Sequence, residues 1–521
     1  MKVLHRKNLL LIYLIMDSFI CKENTCYLYI IGNQCVLICK ENPLIKNTIE
    51  MNKAKIHYYD IGDYLSREDK LRIIKQFGSI ERIPWTILQP NEHGDWINHR
   101  NEMFKLFIPI EPEKKFVKGQ KSFFETYAIG VATNRDAWVY NSSQQTLEGN
   151  MRSMIDFYNK QREAYSNAIK ENVNLSVEEF IDTDETKISW TRSLRNNLRR
   201  NFQIQYNKEK LNVGLYRPFQ KLHIYFASEL IESIGLSPKL FPTPNHKNLV
   251  ICVSGIGSSK DFSVIITDRI PCLDLVEKSQ CFPFYWYDNS NLDIMDLFSQ
   301  NTGNKDSYER RDGISDWVLT TVRKQYGYKV AKEDIFYYVY GLLHSSEYRT
   351  MFATDLKKSL PRLPLVENIE DFWAFSKAGR ELADLHLNYE TIEPYHKCQK
   401  IYAPLANKGE SINYHVEKMR FGKIDSKTVD KTIIYYNNAI TIENIPAEAY
   451  EYVVNGKSAI EWIMERYAIT TDKKSGIIND PNDWAREHND EKYVFNLLLR
   501  IINVSVQTVK IVKKLPKLKF E

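Results

Sequence analysis

Paired cysteines are what this chain most plainly lacks. Its 521 residues contain eight, Cys21, Cys26, Cys35, Cys39, Cys252, Cys272, Cys281 and Cys398, and no two form a Cys-x-x-Cys. Cys35 and Cys39 lie four apart, but no further Cys/His pair completes a zinc site. Scattered thiols in a long chain predict a reduced, cytoplasmic protein. Low-complexity tracts and internal repeats are missing too, which excludes solenoids and compositional linkers. The apolar run Leu9–Met16 follows Lys2, His5, Arg6 and Lys7 in the manner of a secretory leader. Asp17 ends it after eight residues, no Ala-x-Ala site follows, and so short a run cannot span a bilayer. A buried strand or helix at a domain edge is expected there, and no membrane partner.

Catalytic signatures are equally scarce. Asn455-Gly456-Lys457-Ser458 looks like the end of a phosphate-binding loop, Gly-x-x-x-x-Gly-Lys-[Ser/Thr], but the position of the first glycine is Glu451. A side chain and a negative charge there oppose a polyphosphate. A turn leading into a helix, with Ala459, Ile460, Ile463, Met464 and Tyr467 on its buried face, fits the pattern better. Val253–Lys260 is glycine-rich but lacks the third glycine of a dinucleotide fingerprint. No Asn/Asp-Pro-Pro-Tyr/Phe motif occurs; Asn42-Pro43-Leu44 and Asp480-Pro481-Asn482 only echo it. Glu113-Lys114-Lys115 and Asp472-Lys473-Lys474 each match half of a nuclease metal site, a triplet common in lysine-rich chains. The expectation is a chain with no catalytic residues, no cofactor-binding residues and no metal site.

Charge is present but unevenly placed. The net formal charge is +5, yet Lys187–Lys221 holds nine Lys/Arg against one Glu, and Lys510–Glu521 five Lys against one Glu. Concentrated basic segments in a near-neutral chain suit a polyanionic partner, because steering follows the local field; a solvated face and a frayed tail are the plainer alternatives. Within the first segment, Trp190, Leu194, Leu198 and Phe202 recur every four residues and predict a helix with one apolar stripe. Arg192, Arg195 and Arg199 fall on another face near Asn196, with Arg200 beside them. Arginine forks match phosphates or the guanine edge, and asparagine matches adenine. Lys208 and Arg217 extend the basic segment. In the glycine-rich loop, Ser258, Ser259 and Lys260 could hold a DNA phosphate if the turn exposes its N–H groups; a plain tight turn explains it as well.

The apolar patterning predicts strands at Cys26–Ile31, Gln34–Cys39 and Ala54–Tyr59, then a helix with Ser66 as N-cap and Gly78 as stop. Leu249–Val253, Phe262–Ile266 and Cys281–Tyr287 read as strands. Asp316–Tyr326, Glu333–His344, Glu347–Leu360 and Ser376–Tyr389 read as helices, residues 390–450 as short strands, and 457–467 as a helix. The fold class is therefore α+β: a strand-rich middle and a helical C-terminal half, without a complete Rossmann or P-loop domain.

A set of longer phrases in fixed order resembles one family: His57–Leu71, Pro90–Asn101, Thr133–Asn141, Tyr216–Phe219, Ser254–Lys260, Thr267–Pro271, Tyr340–Ser345, Leu360–Pro364, Asn455–Tyr467 and Ser475–Trp484. From about residue 40 to 490 they look like the C-terminal part of the Type ISP single-polypeptide restriction-modification enzymes. That family joins a nuclease, a helicase-like ATPase, an adenine-N6 methyltransferase and a target-recognition domain. The resemblance implies that residues 1–80 are the edge of a methyltransferase-like domain, 81–185 a connecting region and 186–521 the DNA specificity domain, with the first ~40 residues outside the likeness. It implies double-stranded DNA as partner, and S-adenosylmethionine, ATP and magnesium only for the full-length family enzyme. The expected function is sequence recognition without activity of its own. The alternatives are a split methyltransferase subunit, active only with a methyltransferase/helicase-nuclease chain, and a decayed fragment.

Overall fold

The structure, a computed structural model, describes residues 27–31, 34–38, 55–62, 65–97, 99–288, 308–404, 411–426 and 428–520. The apolar run Leu9–Met16 lies outside them. The chain divides into two units, one ending at Arg100 and one running from Asn101.

In the first unit β1 (Tyr27–Ile31) pairs antiparallel with β2 (Gln34–Ile38) and parallel with β3 (Lys55–Tyr59), and β4 (Thr86–Leu88) closes the order β2-β1-β3-β4. Between β3 and β4 lies α1 (Arg67–Phe77), where the Ser66 hydroxyl accepts from the Asp69 N–H and Gly78, at φ 71°, ends the helix. The capping signals place both ends where the sequence puts them.

The second unit is built around a sheet buried on both faces. Its order is β10-β9-β12-β5, with β5 Ala128–Ile129, β9 Val250–Val253, β10 Val264–Thr267 and β12 Gln280–Pro283. Successive strand residues point to opposite faces. Val250, Cys252, Ile265 and Cys281 enter one core, while Ile251, Val253, Val264, Ile266 and Phe282 enter the other. That is why these strands are continuous apolar runs rather than alternating ones.

The first core also takes a sheet of order β11-β7-β8-β6, with β6 Tyr140–Asn141, β7 Leu211–Arg217, β8 Gln220–Tyr225 and β11 Ile270–Pro271. Against it lie α2 (Gln144–Glu171), which buries Leu147, Met151, Met154, Ile155 and Tyr158, and α3 (Arg192–Arg199). The second core holds α4 (Asp316–Tyr326), α5 (Lys332–Leu342) and α6 (Ile369–Leu387). Here α5 and α6 cross with backbones almost touching: a Cβ on Gly379 would stand 1.9 Å from the Tyr337 carbonyl oxygen, and one on Gly341 2.2 Å from that of Phe375. A third sheet, β13-β16-β15-β14, uses β13 Gln399–Tyr402, β14 Arg420–Lys423, β15 Val429–Tyr435 and β16 Ile440–Glu443. Towards the C-terminus lie α7 (Ala459–Arg466) and α8 (Tyr493–Val512), with a short helix Pro481–Glu487 between them. Among the described residues α8 alone is long and apolar enough to cross a membrane, but with 67% of it buried it reads as a core helix. The architecture is mixed α+β, as the patterning predicts.

Several boundaries shift. The helix expected over 376–389 starts at Ile369, and that expected over 347–360 breaks at Phe352 into Ser346–Met351 and Ala353–Lys358. The strand 281–287 divides at Phe284, where it passes from β12 to a hairpin with Glu309–Asp312. The phosphate-loop look-alike is a turn: Asn455 and Gly456, at φ 50° and 79°, join Val453-Val454 to Lys457-Ser458. Two consecutive positive φ values are what a type I′ hairpin turn demands. Ser458 then caps α7 in a capping box with Glu461, and Ala459, Ile460, Ile463, Met464 and Tyr467 are buried. These residues do not fit a nucleotide phosphate, since the hydroxyl and N–H groups at the helix start are taken by Glu461.

Candidate nucleic-acid interface

The basic segment contains a short, firmly seated helix. Thr191 is the N-cap of α3, and Leu194 and Leu198 are fully buried. Trp190 is half-buried, its indole donating to the Asp182 carbonyl at 2.8 Å. The apolar stripe ends there. Asn201 takes φ 54°, a left-handed turn that breaks the helix, so Phe202 leaves the stripe and stands 49% exposed. The expected 190–202 helix is thereby corrected to 192–199.

Glutamate 232, far along the chain, closes the helix N-terminus. Its carboxylate accepts from the Ser193 N–H at 3.0 Å and the Ser193 hydroxyl at 2.6 Å, and these bonds hold it below the usual glutamate range despite burial that raises it. Beneath lies Arg135, 4% exposed, donating to the Thr191 hydroxyl at 2.5 Å. Burial pulls its guanidinium down to about 10. The helix dipole, the carboxylate and this buried cation offset one another, leaving the outward face to other side chains.

That face carries most of the residues singled out above. Arg192 is 88% exposed, 3.7 Å from Glu232; Asn196, Arg199 and Arg200 are exposed; and Arg195 is half-buried. Arg199 binds Asn196 at 2.6 Å and also pairs with Glu178. Lys208 and Lys210 continue the exposed basic run after a stretch without regular secondary structure.

The other two places behave differently. Arg217 points inward, its side chain 12% exposed, donating to the Tyr216 carbonyl at 2.8 Å and the Cys272 sulfur at 3.2 Å and lying 4.0 Å over the Tyr216 ring. It ties the end of β7 to the segment just after β11. Ser258, Ser259 and Lys260 do form the anion-binding turn that glycine spacing suggests, but the Glu277 carboxylate fills it. Glu277 accepts from the Ser258 hydroxyl at 2.9 Å, the Ser259 N–H and hydroxyl at 3.0 Å, and the Lys260 N–H at 3.3 Å. The same bonds lower its pKa despite desolvation. The loop also braces the Asn455-Gly456 turn: Asn455 donates to Ser263 Oγ at 2.8 Å, and a Cβ on Gly456 would lie 2.9 Å from Lys260 Cδ. The half-motif Asp472–Lys474 is a local turn in which Asp472 accepts from the Ser475 N–H and hydroxyl, both at 2.8 Å. No group of three or more metal-ligating side chains occurs among the described residues.

The model of the Type ISP C-terminal specificity domain matches residues 122–497. The chain belongs to the Type ISP specificity-domain family. Two solved Type ISP structures, and a third complex with DNA, are similar to it. A nuclease-deletion mutant of the restriction-modification enzyme LlaGI, in complex with a DNA substrate mimic, is 33% identical with a TM-score of 0.78, covering 95% of this chain and 44% of that one. The ATP-dependent Type ISP enzyme LlaBIII bound to DNA is 36% identical with a TM-score of 0.76, covering 93% and 28%. A DrdV–DNA complex is 29% identical with a TM-score of 0.73, covering 90% and 44%. This Type ISP chain therefore spans less than half the length of these relatives. No curated protein matches it.

Sequence reasoning missed Glu232, Glu277 and Arg135, the three charges that decide which groups of this Type ISP domain remain available. Nothing local in the sequence marks them. It also missed α2, whose signal was present: Leu147, Met151, Met154, Ile155 and Tyr158 repeat at helical spacing.

Proposed function

We propose that this chain is a target-recognition module for double-stranded DNA, of the kind used in Type ISP restriction-modification, and that its working surface runs from Arg192 to Lys210. The carrying observation is an exposed Arg/Asn/Lys face, seated on two buried leucines and closed at its N-terminus by an internal carboxylate, in a domain whose solved relatives include complexes with DNA. Arg192, Arg195 and Arg200 hold phosphates, with Asn196 and Arg199 beside them and Lys208 extending the track. Ser258, Ser259 and Lys260 contribute little while Glu277 is seated in their turn, and Arg217 acts by tying β7 to the segment after β11. Selection of duplexes from a random pool by the intact chain, at stated salt, should enrich one motif. Binding without any enrichment would remove the sequence-reading role.

We assign S-adenosylmethionine, ATP and magnesium to other parts of the family's enzymes, and the four buried free thiols at Cys252, Cys272, Cys281 and Cys398 suit a reducing, cytoplasmic setting. Residues up to about 80 are read as the edge of a methyltransferase-like domain. A second reading, a split adenine-N6 methyltransferase subunit, draws on the separate N-terminal unit with its parallel β1–β3 pair. Tritiated-methyl transfer that appears only on adding a catalytic chain would favour it.

A further inference from the structure

After α3 the chain runs from Asn201 to Asn207 without helix or strand, and its burial alternates. Ile204 is 1% exposed and Tyr206 half-buried, while Gln203, Gln205 and Asn207 face solvent. This is the period of an extended chain. Side chains beneath hold its backbone in place. Tyr158 donates to the Phe202 carbonyl at 2.8 Å, and Asn159 pairs with Ile204 as a strand would, donating to its carbonyl at 2.7 Å and accepting from its N–H at 3.2 Å. Tyr225 accepts from the Asn207 N–H at 2.8 Å, and Arg162 donates to the Asn201 side chain at 2.7 Å. Above this fixed backbone lies an open groove of about 510 Å³, with Phe202, Gln203, Gln205 and Lys208 along it and Glu229 on its wall. The amides of Gln203 and Gln205 have no hydrogen-bond partner among the described residues.

We propose that Gln203 and Gln205 read base edges two pairs apart in the DNA site, a deepening that rests on the DNA-recognition reading above. A glutamine amide presents one acceptor and two donors and pairs bidentately with adenine N6 and N7. Residues i and i+2 of an extended chain lie roughly 6.6 Å apart, close to two base-pair steps of about 3.4 Å each. The exposed Phe202 ring is placed to meet a thymine methyl. Glu229 opposes a phosphate on its side of the groove, while Lys208 and Lys210, which line the groove as well, suit the DNA backbone at its other end. Reading amides on a backbone ordered before binding avoid the cost of ordering a loop.

The test uses the full chain and a random duplex pool at one stated salt concentration. The intact protein should enrich a motif with adenine preferred at two positions two pairs apart. Gln203→Ala with Gln205→Ala should bind the bulk pool within about twofold of the intact chain, but lose preference at those two positions by roughly tenfold or more. Each single variant should relax one of them. Gln203→Glu should move the preference at its own position from adenine to cytosine, a gain that misfolding cannot imitate. An unchanged motif in the double variant overturns the assignment and leaves the DNA reading standing. Loss of bulk binding without relaxed preference makes these residues general contacts and also overturns it. If the intact chain enriches nothing, the DNA-recognition reading fails, and this one with it.

Discussion

The helix α3 and the glycine-rich loop Ser254–Lys260 each carry an internal carboxylate, with opposite consequences. Glu232 satisfies the N-terminal groups of α3 and also pairs with Arg192 at 3.7 Å, while Arg192 keeps an 88% exposed side chain and Arg200 is exposed. Glu277 satisfies the hydroxyls and N–H groups that would themselves have held a phosphate. Both segments look equally suited to an anion in the sequence. What separates them is whether the groups facing outward are the same groups that the acid consumes.

The largest effect should come from α3. Arg192→Ala, Arg195→Ala and Arg200→Ala together should weaken duplex binding by about a hundredfold at low salt and flatten the dependence of log K on log salt by about three contacts. Isothermal titration over a salt series reads both; an unchanged slope would take these residues off the phosphates. Next comes the loop. Glu277→Ala leaves four donors without their acceptor and should lower unfolding stability by about 1–2 kcal/mol, measured in urea. Ser258→Ala with Ser259→Ala should change DNA affinity by less than about twofold, since both hydroxyls serve Glu277. A tenfold loss would show that Glu277 gives way to DNA.

A pH series sharpens the same contrast. The Glu277 pKa is depressed in the folded chain, so its stabilising share is complete above the unfolded glutamate pKa and is lost as pH falls through the lower folded value. The stability gap between the intact chain and Glu277→Gln should therefore close on acidification. Other groups act over a higher range: buried His386, pushed down to about 3, and His344, also well below its ordinary value, favour the neutral form. Their contribution is complete above about pH 6.5 and falls as pH drops below it. It is common to both proteins and cancels in the difference. The smallest effect is expected at Arg217. Arg217→Met should lower the unfolding midpoint and leave the salt slope unchanged, because the side chain faces Cys272 and Tyr216.

Much of this was legible in the sequence. The spacing of Trp190, Leu194 and Leu198 located α3, and Asn455-Gly456 followed by apolar residues at helical spacing showed a turn leading into a helix. These signals are local, and local chemistry settles them. The end of α3 depended on the conformation of Asn201, which many residues in other contexts would not adopt. The filled loop depended on Glu277, which meets Ser258 only once β9, β10 and β12 have paired. Arg217 has the same composition signal as Arg192, yet contacts with Cys272 and Tyr216 turn it inward. Long-range packing therefore decided which of several similar basic residues faces solvent.

The most direct test of the central claim is a paired measurement of salt slope and enriched motif for the intact chain against the triple arginine variant. The account predicts a specific motif for the intact chain, and for the variant the same motif bound more weakly with a shallower slope. Equal affinity and equal slope in the two proteins would contradict it.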